Sequence, residues 1–138
     1  MGQLHTSAVS LGFFGDDLDP VEITQALGAT PTVGVRKGDP WHTATGAEKI
    51  ATRGQWRLVS ERRQPGDPDG QINDLLDRLS DDLPRWRSLA GRYRGRIFCG
   101  LFLASGNEGV TFQPETLTRT GERGLLLDLD IYSADDPH

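Results

Sequence analysis

The sequence has 138 residues, 36% hydrophobic and 25% charged, with a formal net charge of −5. That length fits one domain, residues 1–138, whose core needs no disulfide or metal to hold it. The apolar residues fall in separated clusters, which excludes a disordered chain, and no run approaches the ~20 apolar residues of a membrane span.

Residues 6–14 read as a strand, with Val9, Leu11 and Phe13 pointing one way and Ala8, Ser10 and Gly12 the other. Gly15-Asp16-Asp17 ends it. Asp19 is then placed to cap a helix, with Pro20 in the first helical position and Glu22 closing a capping box. Ile23, Ala26 and Leu27 form the inward face, and Gly28 supplies a left-handed stop. Pro31 to Lys37 reads as a short strand carrying Val33 and Val35. Residues 38–54, rich in Gly, Thr and Ala, read as a long irregular connection, and connections of that length are often functional. Gln55 to Glu61 reads as a strand with Trp56 and Leu58 on one side and Arg57 and Val59 on the other. The turn chemistry of residues 64–70 predicts a loop.

The strongest helical signal covers residues 71–91. Ile72, Leu75, Leu76, Leu79, Leu83, Trp86 and Leu89 recur at spacings of three and four and make one apolar stripe. Pro84 requires a kink or a break and restart. Residues 96–104 are apolar on both faces, which predicts a central strand covered on both sides. A turn at 105–109, a short strand at 110–112 and a helix opened by Pro114 and ended by Gly121 or Gly124 follow. In the final strand, 125–132, Leu127, Leu129 and Ile131 alternate with Asp128, Asp130 and Tyr132. The ordered core is thus 6–132, with a polar tail at 133–138. The order strand, helix, strand, strand, helix, strand, helix, strand predicts an α+β fold. A mostly antiparallel sheet with helices packed on one face, a ferredoxin-like variant, accommodates it.

Cys99 is the only cysteine, so no intrachain disulfide is possible, and its apolar neighbours point to a buried, inert thiol. Met1 to His5 lacks the basic and apolar regions of an export signal, so a reducing cytoplasm is expected. Charge is unevenly spread. Residues 1–35 carry only acids, residues 84–96 only arginines, and the last third is acidic again. Overall acidity disfavours bulk nucleic-acid binding and permits a basic protein partner.

Four constellations carry possible chemistry. Asp16, Asp17 and Asp19 offer oxygen ligands for a cation, but a turn and helix cap need the same residues. Asp128 and Asp130, two apart on a strand, share a face with Tyr132. They read as an acid–base pair, or as an open sheet face that binds a partner together with Arg57. Arg85 to Arg96, with Trp86 and Tyr93 interleaved, has the composition of an RNA-binding stretch, although Trp86 falls on the inward stripe. Arg36, Lys37, Asp39 and Trp41 surround a glycine turn able to receive an anion or a peptide, or simply to end a hairpin. His5, His42 and His138 lack metal-ligand spacing, and Ser10, Ser105 and Ser133 lack a nucleophile-elbow context. No cofactor, metal or catalytic residue is expected.

Three stretches together resemble one bacterial family. They are Gly15-Asp16-Asp17-Leu18-Asp19-Pro20-Val21-Glu22-Ile23-Thr24 with Leu27-Gly28-Ala29-Thr30-Pro31-Thr32 and Lys37-Gly38-Asp39; Gly54-Gln55-Trp56-Arg57-Leu58 before the leucine-rich helix; and Leu127-Asp128-Leu129-Asp130-Ile131-Tyr132. The family is catalogued as domain of unknown function 4279. The resemblance spans about residues 6–132 and implies an α+β fold and a small, stand-alone bacterial protein. It brings no activity, cofactor or site residue. Small size, acidity and the lack of a catalytic constellation favour a non-enzymatic protein-binding role, for example an immunity-like protein that neutralises a basic toxin. A small-molecule or anion-binding module, an enzyme using Asp128 and Asp130, and RNA binding through Arg85 to Arg96 are the alternatives.

Overall fold

Strand β2 (Thr6–Gly15) alternates as its sequence requires, and it pairs on both sides. The computed structural model describes residues 2–135, so the last three residues of the expected polar tail lie outside the described ones. Before β2 comes β1 (Gly2–Gln3). After it come α1 (Pro20–Leu27), β3 (Val33–Val35), β4 (Pro40–His42), β5 (Glu48–Ile50) and β6 (Gly54–Val59). Then follow α2 (Pro68–Asp77), α3 (Leu83–Arg92), β7 (Arg94–Phe102), β8 (Glu108–Gly109), α4 (Pro114–Glu122) and β9 (Leu126–Tyr132). The main sheet has the order β3-β6-β2-β7-β9. Its first three pairings are antiparallel and β7–β9 is parallel. Without β9 this is the order of a split βαβ fold, so the ferredoxin-like α+β expectation holds, with α4 and β9 added at one edge.

Local chemistry sets the helix ends. The Asp19 carboxylate accepts the Val21 N–H at 3.0 Å, and Gly28 closes α1 at φ 82°. The Glu22 carboxylate does not fold back to complete a capping box; it bonds Arg92 and Tyr93 instead. The apolar stripe of 71–91 belongs to two helices. The first begins at Pro68, inside the expected loop, because Asp67 accepts the Gly70 N–H at 3.0 Å. The break lies before Leu83, where Asp82 caps α3 by accepting the Arg85 N–H at 3.2 Å. Pro84 therefore sits in the first turn of α3, where its missing N–H is no loss.

One core lies between the helices and the sheet. Val9, Leu11, Phe13, Trp56, Leu58, Ile97, Cys99 and Leu101 meet Ile23, Leu27, Ile72, Leu75, Leu76, Trp86 and Leu89. Phe13 contacts both tryptophans, with ring centroids 6.4 Å from Trp56 and 6.2 Å from Trp86. Both indoles are fully buried and both find acceptors: Trp56 donates to the Thr24 hydroxyl at 3.0 Å and Trp86 to the Ser80 carbonyl at 2.6 Å. Gln71, also fully buried, donates to the Ser7 and Glu61 carbonyls and the Ser60 hydroxyl, and accepts from the Ser7 hydroxyl. It ties the start of α2 to β2 and to the chain leaving β6.

The stretch 96–104 forms β7, a central strand as expected, with β2 on one side and β9 on the other, although the middle of the five strands is β2. Two expectations are corrected. The connection 38–54 is not wholly irregular. Gly46, at φ 88°, turns a small hairpin in which β4 pairs β5. No strand forms at 110–112, where the Gln113 N–H is drawn to the Asp69 carboxylate at 2.9 Å; Glu108–Gly109 pairs β1 instead.

Burial pushes the Cys99 thiol up to about 12. A chromogenic thiol reagent at pH 8 is therefore expected to leave the native protein unlabelled and to titrate one thiol in denaturant. Replacing the α3 cap, Asp82→Ala, is expected to cost ~1 kcal/mol in urea unfolding.

Candidate functional site: an arginine–aromatic layer on the open sheet face

The face of the sheet away from the helices is built by register. Residues paired across strands share a face, so Ser10, Phe98 and Asp128 form one row, Ala8, Gly100 and Asp130 the next, and Thr6, Phe102 and Tyr132 a third. Toward the other end, Gly12 stands between Arg57 and Arg96, and Phe14 between Gln55 and Arg94. Small residues along β2 and β7 leave room for rings to lie flat. The Phe14 ring covers Gly12, where a Cβ would come within 2.9 Å of it, and the Phe102 ring covers Gly100, where a Cβ would come within 3.3 Å.

Guanidinium groups then cap the rings. Arg53 lies 4.3 Å over Phe14, Arg62 lies 4.5 Å over Phe102, and Arg96 lies between Phe14 and Phe98 at 5.3 and 5.0 Å. Tyr132 stacks on Phe102 at 4.7 Å with the rings 7° from parallel. Two carboxylates share the face. Asp128 pairs with Arg96 at 3.1 Å, and Asp130 accepts the Tyr132 hydroxyl at 2.7 Å. Among the described residues, Arg53, Arg57, Arg62 and Arg94 have no carboxylate at salt-bridge distance. The face is thus cationic on a chain whose net charge is −5.

Of the residues singled out in the sequence, Arg57, Asp128, Asp130 and Tyr132 meet on this face. Asp128 and Asp130 each have a separate partner, so they do not form a carboxylate pair sharing one proton. Arg36, Lys37, Asp39 and Trp41 lie elsewhere. Arg36 pairs with Asp19 at 2.8 Å and Lys37 with Asp16 at 3.5 Å, so the acidic cluster and the basic turn neutralise each other. The Asp39 N–H donates to the Arg36 carbonyl in that turn. Trp41 is half-buried beside a recess of about 350 Å³ shared with Lys49, Ile50, Arg53 and Gln55. Among the described residues no group of His, Cys, Asp or Glu is arranged to hold a metal ion.

The stretch Arg85 to Arg96 divides between two surfaces. On α3, Arg85 pairs with Asp82, Arg87 donates to the Glu122 carbonyl and Arg92 pairs with Glu22, while Trp86 is core. Arg94 and Arg96 belong to β7 and join the open face. Sequence reading missed Arg53, Arg62, Phe14, Phe98 and Phe102 as members of the layer. The alternation of β7 shows Arg96, Phe98 and Phe102 on one side. Nothing local places Arg53 or Arg62, which come from outside the strands.

A family model described as "Domain of unknown function (DUF4279)" matches residues 3–134. The chain belongs to the DUF4279 family. No curated protein and no solved structure matches it. The matched span of this DUF4279 member contains every residue of the arginine–aromatic layer.

A second charged group links α1, α3 and the end of β2. Glu22 accepts from Arg92 and from the Tyr93 hydroxyl, each at 3.0 Å. Gly15 makes room for the Tyr93 ring, since a Cβ there would come within 2.8 Å of it. The hydrogen bond from Arg92, aided by that from Tyr93, holds the Glu22 carboxyl below its ordinary value against the opposing effect of burial. Burial and the neighbouring Glu22 push the Tyr93 phenol up. A carboxyl depressed on folding contributes stability that is present above its unfolded-state value and lost as pH falls through its folded value. Urea midpoints are therefore expected to drop on acidification below about pH 4.5. Glu22→Gln is expected to show a shallower drop over the same range.

Proposed function

We propose that this DUF4279 member is a non-enzymatic binding domain and that its arginine–aromatic sheet face receives the acidic surface of a partner protein. The observation that carries the reading is the set of guanidinium groups on one open face that have no carboxylate partner among the described residues. Two of them, Arg53 and Arg62, lie against rings. A guanidinium lying on a ring is restrained, and its donor fork suits the two oxygens of a carboxylate. Less ordering entropy is then lost when it binds than for a freely rotating arginine.

The charge of the face distinguishes among the readings. A basic toxin would meet like charge here, so the immunity-like expectation in its basic-partner form does not suit this surface. Single-stranded nucleic acid would bring phosphates, but it gains most from bare ring faces on which bases stack. Here Phe14 lies between Gly12 and Arg53, and Phe102 is covered by Tyr132 and Arg62. Carboxylates need only the guanidinium edges. For the enzyme reading, Asp128 is neutralised by Arg96 and Asp130 is held by a phenol.

Fluorescence anisotropy with an oligoglutamate peptide and with oligothymidine of equal charge tests this. Saturable, salt-sensitive binding of the peptide is expected. The double substitution Arg57→Glu with Arg94→Glu is expected to weaken it at least about tenfold, with an unchanged circular dichroism spectrum. Tighter binding of the oligothymidine, or peptide binding indifferent to the double substitution, would overturn the reading.

A further inference from the structure

We propose that the outer edge of β9, over Leu126 to Ile131, accepts an extended segment of a partner protein in which basic and apolar residues alternate. The two edges of the main sheet differ. The β3 edge spans only Val33–Val35. The β9 edge runs from Leu126 to Tyr132 and keeps unbroken register with β7, from Arg96 opposite Leu126 to Phe102 opposite Tyr132. A strand with one neighbour directs a row of backbone N–H and C=O groups outward, which soluble proteins usually blunt with charged side chains, proline or a bulge. β9 has no proline and no bulge against β7, and its only charges are Asp128 and Asp130, which leave the edge open to a strand that answers them.

Its side chains specify what such a segment must carry. On the helix side of the sheet, Leu129 is 45% and Ile131 61% exposed, although their neighbours Cys99 and Leu101 are buried. Next to Ile131 is a recess of about 350 Å³ lined by Leu103, Gly106 and Ala134 together with Ser105, Ser133 and Asp135. On the opposite side stand Asp128, which shares Arg96, and Asp130, which has the Tyr132 hydroxyl and, among the described residues, no cation within salt-bridge distance. An added strand therefore gains most with apolar residues toward the helices and cations toward the aspartates.

The same aspartates disfavour a second copy of this chain. Antiparallel pairing about a two-fold keeps each face on its own side. Any such register that joins most of β9 to its copy sets an aspartate opposite an aspartate, and like charges directly opposite are destabilising. The occupant is thus a different chain. This edge borders the arginine–aromatic face, whose two aspartates stand on β9 itself, and there it selects the opposite charge.

The test uses peptides the length of β9. One alternates arginine with valine, one carries the same residues in two blocks, and one alternates glutamate with valine. The arginine–valine alternating peptide is expected to bind at least about fivefold more tightly than the block peptide. It is also expected to slow amide hydrogen exchange in β9. Ile131→Lys, at an exposed position that leaves the fold unchanged, is expected to weaken it. Asp130→Arg is expected to shift preference toward the glutamate peptide. Equal binding of the block peptide, protection confined to residues outside β9, or concentration-dependent dimerisation of the free protein through β9 would overturn the proposal. Loss of oligoglutamate binding in the Arg57, Arg94 double variant with β9 protection retained separates failure of one surface from failure of the other.

Discussion

Phe13 sits between Trp56 and Trp86, and that contact joins the parts of the molecule that come from far apart in the chain. It lies on β2, Trp56 on the neighbouring β6, and Trp86 on α3 across the core. Because both indole N–H groups are satisfied inside the protein, by Thr24 on α1 and by the Ser80 carbonyl before α3, the tryptophans can be fully buried at no cost in orphaned donors. The first of these bonds fixes α1 against the sheet, and the second ties α3 to the segment that leads into it. Gln71 does the equivalent for α2, with every polar atom of its amide engaged although the residue has no exposed surface.

Placing all that apolar surface on one side of the sheet leaves the other side with a different problem. Its aromatic rings have no helix to cover them. They are covered instead by the flat faces of arginines, which hide hydrocarbon and ring surface while keeping charge in water. Among the described residues, Phe14 and Phe102 are buried on this side without a second helical layer. Stability and binding capacity therefore share one set of side chains. The guanidinium groups that shield the rings are also the groups available to an anionic partner.

Much of the fold is legible in the sequence because it rests on local chemistry. The cap at Asp19, the stop at Gly28 and the alternation of β2, β6 and β9 need only near neighbours. The two-helix division of 71–91 is partly legible. Pro84 signals a boundary, but the gap before it follows from Asp82 capping α3 and from the Ser80 N–H bonding the Leu27 carbonyl of α1. That 96–104 is an interior strand is legible, but its place in the strand order is not. An apolar run on both faces says that both are shielded, not whether by helices or by arginines. The hairpin within 38–54 is hidden for a similar reason, since its strands are short and largely exposed and carry little pattern.

The sequence by itself determined that Arg57, Asp128, Asp130 and Tyr132 lie on the polar side of their strands, because side chains alternate with a period of two. It also determined an inward Trp86 and an inert Cys99, from the apolar spacing around them. Only the tertiary structure decided that those strand residues share one surface, since strand order and register come from pairings between segments distant in the chain. It likewise decided that Arg36 and Lys37 are answered by Asp19 and Asp16, while Arg53 and Arg62 reach the rings of Phe14 and Phe102. A charge in a sequence has no partner until the chain folds, and which cations keep a free edge depends on where every carboxylate has come to rest.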